Sequence, residues 1–197
     1  MTEHLNYIYS KYNKIWDTNI YDGFIGNKLQ VSNLSTGYHG ILKQWWDEYN
    51  TGSNVLLVSE NNKVKAEFQL LYPTWNITTT DLFIDINTSN EVDIVGDICS
   101  LVNPIVKKYN LIINQATLEH LYNPFQGMYN LISSLELGGI LVTHTHPPAF
   151  DYHQYPRDYF RFMIDWWIDL EKYIKNIELL EICMINNKHV LTVYRKL

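Results

Sequence analysis

The sequence predicts an α/β domain: a doubly wound, mostly parallel sheet with helices on both faces and an antiparallel hairpin strand at the C-terminal end. Three observations carry this. From residue 40 onward, short β-branched apolar runs alternate with segments of helical period. Strands that alternate with helices need right-handed crossovers, and hence a parallel sheet covered on both faces. The last two runs, IELLEICMI and KHVLTVYRK, are separated by Asn186 and Asn187 alone, a pair suited to a hairpin turn.

The elements follow in order. Residues 1–39 are polar and aromatic without clear period and read as an N-terminal extension packed on a single main domain, 40–197. GILKQWWDEY (40–49) has apolar residues at helical spacing, and TGS breaks it before VLLVS, the first strand. KVKAEFQLLY (63–72) is the next helix, stopped by Pro73. WNITTTDLF (75–83) and EVDIVGDI (91–98) read as strands two and three, and YNLIINQA (109–116) as the fourth. Asn123 and Pro124 open a helix in N-cap and N1 positions, expected to run to about Leu137 and to close at Gly138 and Gly139. ILVTHTH is the fifth strand, and FRFMIDWWIDLEKYI an amphipathic helix with one of Trp166 and Trp167 in the core and the other at a lid or interface.

Composition narrows the partners. The 197 residues suffice for one full core, with about 70% of the unfolded surface buried on folding. A net charge of −6 with no block of like charges disfavours nucleic acid and anionic membranes. No run reaches the roughly 18 apolar residues of a membrane span, and MTEHLNYIYS has neither a basic nor an apolar leader region, so a soluble cytoplasmic protein is expected. Cys99 and Cys183 have no disulfide or metal spacing and read as reduced thiols.

In doubly wound sheets ligands sit at the carboxyl ends of the strands, near the reversal of strand order. Read there, with the segments 92–98, 109–143 (strand, LEH, Asn-Pro helix start, glycine pair, strand) and 152–162 (YHQYPRDYFRF), residues 40–197 resemble a class I S-adenosylmethionine-dependent methyltransferase, with its Rossmann-like sheet, of the small-molecule group found with sugar and surface-glycan genes. Three stretches carry the resemblance. YNLIINQATLEHLYNPFQGMYNLISSLELGGILVT (109–143) is similar to the family's fourth strand, leucine-glutamate-histidine segment, asparagine-proline helix start and glycine pair before strand five. VDIVGDI (92–98) is similar to its third strand, and YHQYPRDYFRF (152–162) to a signature after strand five in some relatives.

The resemblance implies S-adenosylmethionine as cofactor and a set of contacts. Asp81 would accept the ribose hydroxyls, with Asp85 as competing candidate; Asp97 would face the adenine amine, and Ile98 would pack on the ring. Asn114 and Gln115 would meet the amino acid moiety. Each aspartate could equally be a turn residue. The first turn departs from the family: Leu57 stands at its acidic position, and Ser59, Asn61 and Lys63 near its glycines. A non-glycine residue at positive φ costs about 1–2 kcal/mol, and Asn61 with Asn62 is expected to supply the bend, leaving Ser59, Glu60 and Asn61 at the cofactor.

Methyl transfer mainly asks the protein to align nucleophile and methyl in a dry pocket, with a base where the acceptor must lose a proton. HTHPPAFDYHQYPRDYFRF (144–162) would cover that pocket. His146 and His153 are the preferred bases, and His144, Tyr155, Asp158, Tyr159 and Arg161 are expected at the acceptor, unless Arg161 simply pairs with Asp158. Glu119 and His120, at a helical turn where acids are common, are expected to be structural. Three histidines in one loop raise a metal reading, but nothing fixes a full ligand set and no metal is expected. The leading function is methylation of a small molecule, a sugar or glycan precursor, by a homodimer. The alternatives are a methyltransferase-like binding or regulatory module without catalysis, and a site adapted to another nucleotide-like ligand.

Overall fold

The computed structural model describes residues 37–82, 91–153 and 157–197. The elements are α1 (Gly37–Tyr49), β1 (Asn54–Val58), α2 (Asn62–Leu71), β2 (Asn76–Asp81), β3 (Ile94–Val95), β4 (Tyr109–Gln115), α3 (Pro124–Ser133), β5 (Leu135–Thr145), α4 (Ile164–Tyr173), β6 (Ile177–Ile185) and β7 (His189–Lys196). Residues 118–120 form one 3₁₀ turn. Most of the expected extension, Asp85 and Tyr155 lie outside the described residues; α1 begins three residues before the expected boundary.

The strands form one seven-stranded sheet in the order β3-β2-β1-β4-β5-β7-β6. Pairings from β3 through β5 are parallel, and those of β7 with β5 and β6 are antiparallel. Alternation along the strands splits the core between two faces. Leu56, Val58, Ile112 and Leu141 pack with Met128, Leu131, Trp167 and Leu170 of α3 and α4. Val55, Leu57, Leu111, Ile113 and Val142 pack with Leu42, Trp46, Val64 and Phe68 of α1 and α2. Successive side chains on a strand point to opposite faces, so both faces are apolar where the strand is central.

Local chemistry sets several boundaries where the sequence puts them. The Asn61 side chain accepts from the Lys63 and Val64 backbone N–H groups and starts α2. Asn123 accepts from Gln126 N–H, with Pro124 following it, and starts α3. Asn186 and Asn187 adopt φ of 51° and 54°, the left-handed pair that a two-residue turn between twisted strands requires.

Other boundaries differ. β3 has two residues, against the eight expected, and α4 starts at Ile164. α3 ends at Ser133, ahead of the glycine pair, because Ser134 closes it by donating from its backbone N–H and hydroxyl to Asn130 O. The glycines then lie inside β5, whose pairing shifts register between Tyr109 and Leu111. Gly138 takes φ of 74°, and a Cβ on Gly139 would stand 2.9 Å from Glu136 O and 3.0 Å from Tyr109 O, so the pair makes a bulge and not a helix cap. Trp167 is fully buried, while Trp166 lines a surface groove of about 500 Å³ with Phe125, Asp169 and Tyr173. Among the described residues no helix is long and apolar enough to cross a membrane.

Asp93 fastens the segment before β3 to the sheet. Its carboxylate accepts from Thr79 N–H at 2.9 Å and from Lys65 Nζ at 2.8 Å. Burial pushes this carboxyl up, but Lys65 and the Thr79 N–H outweigh it and hold the group below the ordinary carboxylate range. A depressed folded-state value contributes stability above the unfolded-state pKa and loses it as pH falls through the folded one. Asp93→Asn should therefore lower unfolding stability by about 1–2 kcal/mol at neutral pH. In denaturant titrations the gap from the parent protein should close on acidification; a gap unchanged in acid would contradict the assignment.

Candidate functional site

The order of strands reverses between β1 and β4, which pair in parallel with Val58 opposite Asn114. Helical connections leave that point toward opposite faces, opening a crevice beyond the strand ends. At the tip of β1 the chain bends through Ser59, at φ of 58°, whose N–H donates to Thr80 O at 2.7 Å. The left-handed residue is thus Ser59, and not the expected Asn61 or Asn62. Asn61 has φ of −101° and is spent as a helix cap, and Asn62 accepts from the Thr79 hydroxyl. Glu60 is buried in the same turn.

Asp81 ends β2 and accepts Leu82 N–H, and Asp97 accepts Cys99 N–H. Both do the work of turn aspartates at the strand ends. Ile98 is a core side chain in the α3 and α4 cluster. Asn114 and Gln115, ending β4, are 1% and 4% exposed. Gln115 Nε2 meets Tyr38 Oη at 3.5 Å and His39 Nε2 at 3.1 Å, whereas neither polar atom of the Asn114 amide makes a hydrogen bond.

Beyond β4 and β5 lies a second feature. Ala116, at φ of 46°, turns the chain out of β4 and into the 3₁₀ turn that carries Glu119 and His120. Glu119 is fully buried, and its Oε2 accepts the Thr145 hydroxyl at 2.6 Å. Its Oε1 has no hydrogen bond and stands 3.4 Å from His146 Nε2, 3.9 Å from His153 Nε2 and 4.0 Å from His120 Nε2. His146 Nδ1 lies 3.0 Å from Lys188 O and His120 Nδ1 2.6 Å from Arg157 O. A carbonyl only accepts, so each Nδ1 carries the proton and each Nε2 presents a lone pair.

Burial dominates the electrostatics. It pushes the Glu119 carboxyl up to about 7, with the Thr145 hydroxyl opposing. It pulls His146 down to about 3, against the bond to Lys188, and lowers His144 and His120 as well. His144 is fully buried on the α1 side, stacked on Tyr38 and 2.9 Å from His189 Nδ1, so it supports the cluster from beneath.

The loop after β5 closes over the cluster. Arg161 donates to both carboxylate oxygens of Asp158 and to the carbonyls of Phe150, Asp151 and Phe160, so the pairing with Asp158 is the one realised. Asp158 also accepts His153 N–H at 2.9 Å, and Tyr159 N–H donates to Glu119 O at 2.8 Å. The Tyr159 ring is half exposed and meets Tyr122 edge-on.

No family model matches the sequence, and no curated protein matches it. Solved structures do. A methyltransferase from Clostridium acetobutylicum described as S-adenosylmethionine-dependent superposes with a TM-score of 0.62 at 12% identity, over 99% of this chain and 98% of that one. The N-terminal domain of EvdMO1, solved in the presence of S-adenosylhomocysteine and D-fucose, gives 0.56 at 9% identity over 99% and 96%. The N-methyltransferase NodS from Bradyrhizobium japonicum, solved with S-adenosylhomocysteine, gives 0.52 at 16% over 81% and 85%. The chain has the class I methyltransferase fold.

Within that methyltransferase fold the sequence singled out His146 and His153 as bases, and both bring Nε2 near Glu119 Oε1; it treated Glu119 and His120 as structural. The structure puts Glu119 at the centre. The available signal was its place one turn past β4, beside the strand whose tip carries the histidines. Because Thr145 donates a hydrogen bond to the buried Glu119 carboxyl, Thr145→Val should cost about 1–3 kcal/mol of unfolding stability. Thr145→Ser, which keeps the hydroxyl, should recover most of it; equal losses in the two variants by denaturant titration would refute the role of that bond.

Proposed function

We propose that the protein binds S-adenosylmethionine in the crevice between β1 and β4 and methylates a small-molecule acceptor, a sugar or glycan precursor. The observation that carries the reading is the Asn114 amide: buried at the reversal of strand order, with both polar atoms unpartnered. Leaving such a group unpaired costs about 1–3 kcal/mol, a cost that a ligand with matching donor and acceptor would remove. An ammonium and carboxylate pair, as on the methionine end of the cofactor, has that character. Ser59, Glu60 and Asn61 would border it, and Asp81 and Asp97 would stand toward the ribose and adenine. When bound, the cofactor supplies a methyl group on a sulfonium centre.

The chain's own residues would then align the acceptor. His146 and His153 present Nε2 atoms beside Glu119 at the tips of β4 and β5, and these are the protein atoms placed to receive the acceptor's proton. The loop 157–162, fixed by Arg161 and Asp158, covers them and keeps water out. Tyr159, in the same loop, would stand on the acceptor side. That EvdMO1 was solved with D-fucose supports a sugar-like acceptor.

A second reading, a methyltransferase-like module without turnover, is favoured by the side chains of Ser59 and Glu60 where a bare backbone would approach the ligand more closely. Thermal melts separate the two. A ligand at a hundred times its Kd adds about 2.7 kcal/mol, so S-adenosylmethionine and S-adenosylhomocysteine should raise Tm and nucleotide sugars should not. Asn114→Leu should abolish the shift. His153→Ala should keep the shift and lose methyl transfer to sugar acceptors. No shift with either cofactor form at millimolar concentration would overturn the proposal, and a shift without transfer to any acceptor would favour the module.

A further inference from the structure

The cluster beyond β4 and β5 has a property that neither proton transfer nor cofactor binding explains. Its donor atoms converge on one point, and two fully or almost fully buried ones, Glu119 Oε1 and His146 Nε2, make no hydrogen bond. One ligand atom each from Glu119, His146 and His153 lies within 4.8 Å of the others. His120 Nε2 adds a fourth, 3.2 Å from His153 Nε2 and 4.0 Å from Glu119 Oε1.

We propose that Glu119, His146 and His153, completed by His120, form a binding site for a divalent transition-metal ion of the zinc type. Bonds of about 2.0–2.1 Å in tetrahedral arrangement set neighbouring donors roughly 3.4 Å apart. The spacings of 3.2, 3.4, 3.9 and 4.0 Å lie near that value, and the His146 to His153 pair, within 4.8 Å, would draw in on binding. Three imidazoles and one carboxylate suit such an ion better than calcium or magnesium, which prefer all-oxygen shells.

The outer contacts fit as well. Metal-binding histidines characteristically donate their other N–H to a carbonyl or carboxylate, which fixes ring and tautomer. His146 does so to Lys188 O and His120 to Arg157 O, and His153 Nδ1 faces Asp158 Oδ2 at 3.4 Å. The Thr145 hydroxyl occupies Glu119 Oε2 and leaves Oε1 to the ion. The neighbouring trio His144, His146 and His189 is the weaker site, because His144 Nε2 and His189 Nδ1 already bond to each other at 2.9 Å.

Metal binding stands apart from the methyltransferase reading; only its use, holding an acceptor oxygen beside the crevice, rests on that reading. In an ion-loaded molecule His146 and His153 act as ligands and not as free bases.

The test is calorimetric titration of zinc chloride into protein freed of any histidine tag and stripped with chelator. One equivalent per chain should bind with submicromolar Kd, and cobalt chloride should give the intense visible absorbance of a four-coordinate ion. His153→Ala, at a partly exposed loop position, should weaken zinc binding at least a hundredfold while circular dichroism stays unchanged. Glu119→Gln should weaken it similarly, and His189→Asn should leave it intact. No zinc binding, or binding insensitive to His153→Ala and Glu119→Gln but lost in His189→Asn, would overturn the site. Melts with S-adenosylhomocysteine on the same samples report the crevice separately, so either proposal can fail alone.

Discussion

The parallel pairing of β1 with β2 on one side and β4 on the other is the constraint on which the rest depends. Two crossovers of one hand, started from the neighbouring strands β1 and β4 in opposite directions, must leave a gap at the strand tips that no helix covers. Ser59 follows Val58, which pairs with Asn114 at the edge of that gap. The gap also fixes where β5 can lie: next to β4, with Thr143 to His144 opposite Asn114 and Gln115, so that the residues just past both tips meet.

The meeting explains how a carboxyl, a hydroxyl and three imidazoles come to share a dry volume. Glu119 follows β4 by way of the strained Ala116, Thr145 ends β5 with His146 just beyond it, and Lys188 stands just before β7 beside them. Positive φ at alanine costs about 1 kcal/mol or more, and it persists here because Ala116 N–H donates to His144 O and Thr117 Oγ1 to Gln115 O. The polar groups are then desolvated together. An ionised carboxylate in such a place is costly alone, so its environment must provide a proton, a hydrogen bond or a cation. Arg161 does not provide it, being consumed by Asp158 and three loop carbonyls.

Much of this was legible because its causes are local. Asn123 caps its helix through its own side chain, Asn186 and Asn187 accept left-handed backbone, and the apolar runs of β1 and β4 are long enough to be central. The failures share one cause, dependence on distant pairing. Gly138 and Gly139 look like a helix stop until Leu135 pairs with Tyr109 and makes them a bulge. β3 is alternating in sequence, yet only Ile94 and Val95 find partners, opposite Thr80 and Asp81. Glu119 reads as an ordinary acid at a helix start, and only the tertiary fold removes its water. Arg161 and Asp158 are the converse: two charges three residues apart, readable as a pair and found as one.

The first turn shows how a sequence without glycine keeps the shape that glycine usually permits. Ser59 adopts the left-handed conformation at a cost of about 1–2 kcal/mol. Side-chain bonds around it offset this: Asn61 satisfies two N–H groups of α2, Asn62 takes the Thr79 hydroxyl, and Asp93 takes Thr79 N–H. Each such bond is worth about 1 kcal/mol net, enough together to hold the bend. The consequence is chemical as well as conformational. A glycine turn recognises a ligand through bare N–H groups, whereas here the Ser59 N–H is spent on Thr80 O and the Asn62 N–H on Glu91 O. On the reading proposed above, recognition of a charged ligand end would then fall to the end of β4, where both polar atoms of the buried Asn114 amide are without a hydrogen bond.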